Sequence, residues 1–138
     1  MTTMFGLKSK KNKIIITPEL ARIVAHICAD GYLCSATYRR SPKELLTHKR
    51  KNLLRRKLAI RYVNTEPILV KEFKDDVKKA FNRKVFPIKK KNEYEVSAIW
   101  VYEIVKSLGA GKSRTWYISK KFTESDTKVK SAWLKAFF

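Results

Sequence analysis

The sequence predicts an α+β fold whose elements run helix, two strands, helix, two strands, helix and a terminal helix. Two observations predict it. Over residues 17–31 apolar positions recur at helical spacing, and directly after Gly31 the spacing switches to alternation with a period of two. Between Asn64 and Leu108 the chain passes through the same succession again, a helical repeat, two alternating segments and a helical repeat.

Residues 17–31, TPELARIVAHICADG, organise the chain. Thr17 is a natural N-cap, and Pro18 suits the first helical position, where a missing N–H costs nothing. Leu20, Ile23, Val24 and Ile27 form one apolar face. Ala21, Ala25 and Ala29, each four residues apart, form a second face of small residues that lets another backbone approach closely, so this helix is expected to pack against a helix. The run ends in Asp30-Gly31, where glycine lets the chain leave the helix. The helix macrodipole disfavours an anion at that end, so the Asp30 carboxylate calls for a positive partner such as a metal ion.

After Gly31, Cys34 and Ala36 alternate with Ser35, Thr37 and Arg39, which reads as a strand with one apolar and one polar face. Residues 40–51 form a basic connection with a Ser41-Pro42 turn signal and a short helical turn at Leu45-Leu46. In residues 54–63, Leu54, Leu58, Ile60 and Tyr62 share one strand face, and Arg55, Lys57 and Arg61 point the other way. Two successive strands with basic exposed faces suggest a sheet that contacts bases. Asn64-Thr65-Glu66-Pro67 starts a second helix, with Leu69, Phe73, Val77, Ala80 and Phe81 inward and a mixed-charge solvent face, as far as Asn82.

Residues 84–91 and 93–99 read as a hairpin, with Phe86 and Ile88 inward on one arm and Tyr94, Val96 and Ala98 inward on the other. Lys89, Lys90 and Lys91 in its turn suit phosphate contact, whereas Glu93 and Glu95 on the outer face interrupt a uniformly basic platform. A short helix over 100–108 places Val101, Ile104, Val105 and Leu108 inward and closes at Gly109. The loop GAGKS that follows is no phosphate loop, because Lys106 stands where that motif requires glycine. Asp126 caps a last helix with Val129, Ala132, Trp133, Ala136 and Phe137 on one face.

Composition narrows the function. A chain of 138 residues with 44% hydrophobic content is one domain able to bury a core. Its 32 Lys and Arg face 12 Asp and Glu, a net charge of +20 that implies a polyanionic partner, nucleic acid first and an anionic membrane surface second. There is no apolar run near the roughly 18 residues that cross a bilayer, and no signal peptide, so an intracellular place (cytoplasm or nucleoid) is expected. Cys28 and Cys34 are spaced unlike a zinc or redox motif and read as reduced thiols. Residues 1–13, with Lys8, Lys10, Lys11 and Lys13, read as a mobile basic arm.

Ile23-Val24-Ala25-His26-Ile27-Cys28-Ala29-Asp30-Gly31 resembles the LAGLIDADG motif of homing endonucleases, including those associated with inteins and introns. The TPEL lead-in, the NTEP helix start, and LGxGKS at 108–113 followed by Tyr117-Ile118-Ser119 are similar to the same family. KSAWLKAFF at 130–138 resembles the lead-in to a second motif, with Ala136 as its small packing residue and the chain stopping before a second acid. The resemblance implies an αββαββα half-domain with a four-stranded antiparallel sheet: a basic arm at 1–13, the DNA-binding domain at 14–122 and a terminal helix at 123–138.

By the same resemblance Asp30 is the catalytic acid, and Asp30 with the adjoining Gly31 holds Mg2+ or another divalent cation. Ala21, Ala25 and Ala29 become the helix-packing interface. Ser35, Thr37, Arg39, Arg40, Arg55, Lys57, Arg61, Lys89, Lys90 and Lys91 become contacts to double-stranded DNA. Tyr62 and Asn64 stand where relatives often carry a Lys or Gln near the scissile phosphate, and Cys28 where the motif often carries its first Asp. One acid per chain leaves three arrangements: a homodimer through helix 17–31 that cleaves DNA, a monomer whose terminal helix folds back to give a DNA binder or regulator with an incomplete acid pair, and an RNA-binding maturase.

Overall fold

The structure, a computed structural model, describes residues 15–39, 41–43, 54–88, 92–111 and 116–138. In chain order these form α1 (Pro18–Asp30), β1 (Gly31–Arg39), β2 (Leu54–Val63), α2 (Pro67–Phe81), β3 (Phe86–Pro87), β4 (Glu93–Ser97), α3 (Ile99–Ser107), α4 (Lys120–Thr123) and α5 (Thr127–Phe137). The order is the expected one with the single turn of α4 added. One four-stranded sheet runs β1-β2-β4-β3, and every neighbouring pair is antiparallel.

α1 is the centre of the molecule. Thr17 caps it as expected, its side-chain oxygen accepting the Leu20 N–H at 3.2 Å. Residues 23–28 are buried on every side of the helix, as a helix must be when it is enclosed rather than amphipathic. β1 and β2 lie against it, α2 flanks it, and α5 packs along it. Ala21 and Ala25 are completely buried while Ala29 is half-buried. The helix that packs along α1 is the terminal helix of the same chain. Val129, Ala132 and Trp133 of α5 join α1 in one hydrophobic core, so residues 123–138 share their core with the body of the domain.

Polar ties fix α2 against α1. The Arg22 guanidinium donates through Nε and Nη2 to the two oxygens of Asp76, each at 2.9 Å. His26 Nε2 lies 2.9 Å from Glu72 Oε1. Burial pushes the Asp76 carboxyl above the usual carboxylate range even with Arg22 beside it. Donor atoms of His26, Glu72 and Asp76 lie within 4.8 Å of one another, but Arg22 occupies both Asp76 oxygens, which makes the cluster a charge tie and not a metal site. Sequence periodicity gave no signal for it, because the four residues sit on two helices whose facing is set only in the fold.

Register decides which side chains each sheet face carries. Gly31 stands opposite Tyr62, Leu33 opposite Ile60 and Ser35 opposite Leu58; directly opposed residues share a face. Leu33 therefore points to the helices, with Leu58, Ile60 and Tyr62. Tyr32, Cys34 and Ala36 join Arg61, Ala59 and Lys57 on the outer face. The apolar face assigned to Cys34 and Ala36 is thus the outer one, a displacement of one residue that inverts a strand. Small Cys34 and Ala36 imitated an inward stripe, whereas the loop-free exit from α1 at Gly31 is what sets the phase.

Two further readings change, at Phe86 and at Ile99. Phe86 stands opposite Glu95 on the outer face and is 56% exposed. Leu54 keeps the face of Leu58, as expected, and at the far end of β2 is 60% exposed. Val85, one residue earlier than Phe86, supplies the inward apolar group of that arm. Ile99 opens α3 instead of ending β4. Gly109 closes α3 in the left-handed region at φ +111°, where an added Cβ would meet the Tyr117 carbonyl oxygen. Among the described residues no helix is long and apolar enough to cross a membrane.

Candidate nucleic-acid interface and acid site

Asp30 ends α1 with no loop between it and β1. Gly31 makes this possible through closeness, since its backbone is extended at φ −133° and needs no unusual conformation. A Cβ at Gly31 would lie 2.4 Å from the Arg61 carbonyl oxygen and 2.9 Å from Ile27 Cα, so only glycine lets the end of α1 sit against β2. The prediction is that Gly31→Ala loses about 1–3 kcal/mol by overpacking, read as a lower midpoint in urea unfolding with an unchanged slope.

The Asp30 carboxylate is exposed, and among the described residues it has no cationic partner. Its neighbour is Asn64, whose Nδ2 donates to Asp30 Oδ2 at 3.4 Å and to the Tyr62 hydroxyl oxygen at 3.0 Å. Asn64 Oδ1 in turn accepts the Glu66 N–H at 2.8 Å, at the start of α2. Burial first, then the Asp30 charge, push the Tyr62 hydroxyl up to about 12, so it stays protonated at neutral pH. The negative end of the α1 dipole and an unpaired carboxylate make this corner attractive to a cation. One carboxylate with water and phosphate oxygens is a set that suits Mg2+, which keeps most of its ligands outside the protein.

The outer sheet face carries a row across all four strands: Tyr32, Arg61, Glu95 and Phe86. Arg61 Nε and Nη2 reach Glu95 Oε2 at 2.9 and 2.8 Å, and Nη1 donates to the Tyr32 hydroxyl oxygen at 3.2 Å. The Tyr32 hydroxyl donates to Glu93 Oε1 at 2.7 Å. Lys57 Nζ meets Glu95 Oε1 at 2.9 Å. Ala59 lies between Lys57 and Arg61 on this face and is fully buried.

Burial works to raise the Glu95 carboxyl, but Lys57 and Arg61 outweigh it and hold it below the usual range. This tie stabilises the fold above the ordinary glutamate pKa, and the contribution is lost as pH falls through the lowered folded value. Burial also opposes the charge on Arg61, while Tyr32 and Glu95 hold its pKa above the ordinary arginine value.

The fold separates the DNA-facing candidates into groups. Lys57 and Arg61 are together on the outer face. Ser35, Thr37 and Arg39 are exposed but fall on the opposite face, in line with Leu33, because β1 has the other phase. Arg40, Lys89, Lys90, Lys91 and the side chain of Arg55 lie outside the described residues, as do residues 1–13. Asp30 and Gly31 are together at the corner where α1 meets the sheet. The sequence shows Glu95 and Arg61 as outward-facing charges but does not pair them, and it gives no sign of Tyr32, whose outward place depends on the phase of β1. Cys28 and Cys34 are both free thiols, and burial pushes Cys28 up to about 12, leaving it unreactive.

No family model and no curated protein matches this sequence. Solved structures do share its fold. Mesophilic variants of the homing endonuclease I-DmoI superpose with a TM-score of 0.59 at 15% identity, over 88% of this chain and 57% of theirs. A variant of I-DmoI in complex with its target DNA, nicked in coding strand A and in the presence of 2 mM Mn, gives 0.59, 15%, 88% and 60%. The chain thus spans 57–60% of the length of those structures. The likeness covers the α+β architecture with its four-stranded antiparallel sheet, the half-domain fold of a homing endonuclease.

Proposed function

We propose that this chain binds double-stranded DNA across the outer face of its sheet and supplies one acid, Asp30, to a divalent-cation-dependent DNA strand-cleavage centre. The observation that carries the reading is the junction of α1 with the sheet: an exposed carboxylate, without a cationic partner among the described residues, stands at the edge of a face bearing Arg61 and Lys57. The net charge of +20 and a fold shared with a homing endonuclease in complex with its target DNA support it.

Asp30 and the Gly31 carbonyl would hold the cation, with Asn64 steering the carboxylate. When bound, such an ion lowers the pKa of water and stabilises a leaving oxygen. Arg40, Arg55, Lys89, Lys90 and Lys91 are assigned to flanking phosphates, which position a duplex without reading it, whereas Arg39 lies on the other face of the sheet. A second acid has to come from outside the α1 corner. α5 packs along α1, so pairing two chains through α1 requires α5 to leave it, which counts against that homodimer.

The test uses supercoiled DNA, magnesium and sedimentation. Cleavage with magnesium and none with EDTA supports the nuclease, and Asp30→Asn is then expected to abolish cutting while duplex affinity changes less than about threefold, since one surface contact is worth under roughly 1 kcal/mol. A monomer that binds duplex and never nicks it leaves binding alone as the function. Tighter binding of structured RNA than of duplex DNA at equal salt overturns the reading in favour of an RNA-binding role.

A further inference from the structure

We infer that Arg61 reads a guanine in the major groove, with Glu95 and Tyr32 as the positioning residues that fix its guanidinium for that contact; this rests on the duplex-binding reading above. A guanidinium has five N–H donors. Nε and Nη2 are engaged by Glu95 at 2.9 and 2.8 Å, and Nη1 by Tyr32 at 3.2 Å. What remains is one N–H on each terminal nitrogen, and with Tyr32 taking the Nη1 hydrogen nearer Cδ these two point side by side. Two parallel donors match the two acceptors, O6 and N7, that guanine presents in the major groove. Adenine offers one acceptor beside an amino donor, and thymine a single carbonyl beside a methyl group, so neither satisfies both.

The rest of the face points to base contact at this spot instead of phosphate contact. The described charged side chains on the strands there are Lys57 and Arg61 against Glu93 and Glu95, two of each sign, with Lys84 over the Phe86 ring at the edge. A surface built to collect phosphates carries an excess of cations. Glu95 is not itself the reader: one oxygen receives Lys57, the other Arg61, and its side chain is 12% exposed. Its effect is to hold the guanidinium along one edge while Tyr32 holds the other, so little side-chain freedom is left to lose on binding. The next row on the same face is Cys34, Ala59 and Ser97, all small; Ala59 is fully buried, and the open ground in that row is at exposed Ser97.

The experiment selects duplexes from a randomised pool with the full chain at low salt, then repeats the selection with Arg61→Lys and with Glu95→Gln. Melting curves establish that each variant is folded. The native chain is expected to retain duplexes with guanine at one fixed position. Arg61→Lys, a cation without the fork, is expected to weaken that one preference about 5- to 150-fold, the loss of a bidentate base contact. Preferences at the other positions should survive. Glu95→Gln is expected to blur the same position while increasing retention of unselected duplex, because a carboxylate facing the duplex has been removed.

Preferences that are unchanged in Arg61→Lys, or that weaken equally at all positions, overturn the inference and leave the duplex-binding reading standing. Failure of the native chain to retain any duplex overturns that reading, and the inference with it.

Discussion

Replacing Trp133 by alanine is expected to cost about 3–5 kcal/mol, the range for removing a buried Trp or Phe side chain. Trp133 is 2% exposed. Its ring stacks on Phe137 at 5.0 Å with planes 11° apart and lies 6.2 Å from Trp116. This aromatic group fastens α5, and α5 packs along α1. Loss of the ring therefore loosens α5 on α1 and exposes part of the helix it covers. Equilibrium unfolding should show the stability loss, and sedimentation should show Trp133→Ala self-associating more than the native chain. A strictly monomeric Trp133→Ala would mean that the part of α1 so exposed holds no latent self-association.

A conservative control separates packing from hydrogen bonding at the same position. Among the described residues the Trp133 indole N–H has no hydrogen-bond partner. Trp133→Phe removes that unsatisfied donor, offsetting part of the lost volume, and is expected to stay within about 1.5 kcal/mol of native. A loss as large as that of the alanine variant would point to an indole hydrogen bond in solution.

Duplex affinity is expected to fall steeply with salt. Binding that engages six to ten phosphates loses about 10³- to 10⁵-fold in affinity between roughly 50 and 200 mM salt. The charges on the described strands of the outer face balance, so this dependence must come from lysines and arginines around it. Substituting Lys57, already paired with Glu95 at 2.9 Å, is expected to change the slope of log affinity against log salt by less than one phosphate contact. Substituting Lys89, Lys90 and Lys91 together is expected to reduce it by about two to three contacts. Titration by fluorescence anisotropy at several salt concentrations measures both. A slope near zero in the native chain would contradict nucleic-acid binding by charge and with it the proposed function.

How far the candidate site could be read in advance depended on the range of the interaction involved. Asp30 at the exit of a buried helix was legible because every cue lay within fifteen residues: the Thr17 cap, Pro18, the apolar and alanine spacings, and Gly31. Asn64 was noted at the end of its strand, but its contact with Asp30 at 3.4 Å crosses from β2 to α1. Arg61 was visible as an outward cation. That it is held by Glu95 and Tyr32 was not, since three strands contribute to the group.

What the sequence determined by itself was the order of elements, their caps and the central place of helix 17–31. These follow from hydrophobic spacing and from side chains that bond their own backbone, both settled over short distances. The tertiary structure alone decided three things: the phase of β1, which puts Tyr32 outward and Thr37 on the helix side; the outward turn of Phe86; and the identity of the helix that packs along α1. A strand's alternation is symmetric under a shift of one residue until a neighbouring strand fixes it, and a stripe of alanines specifies closeness without specifying a partner.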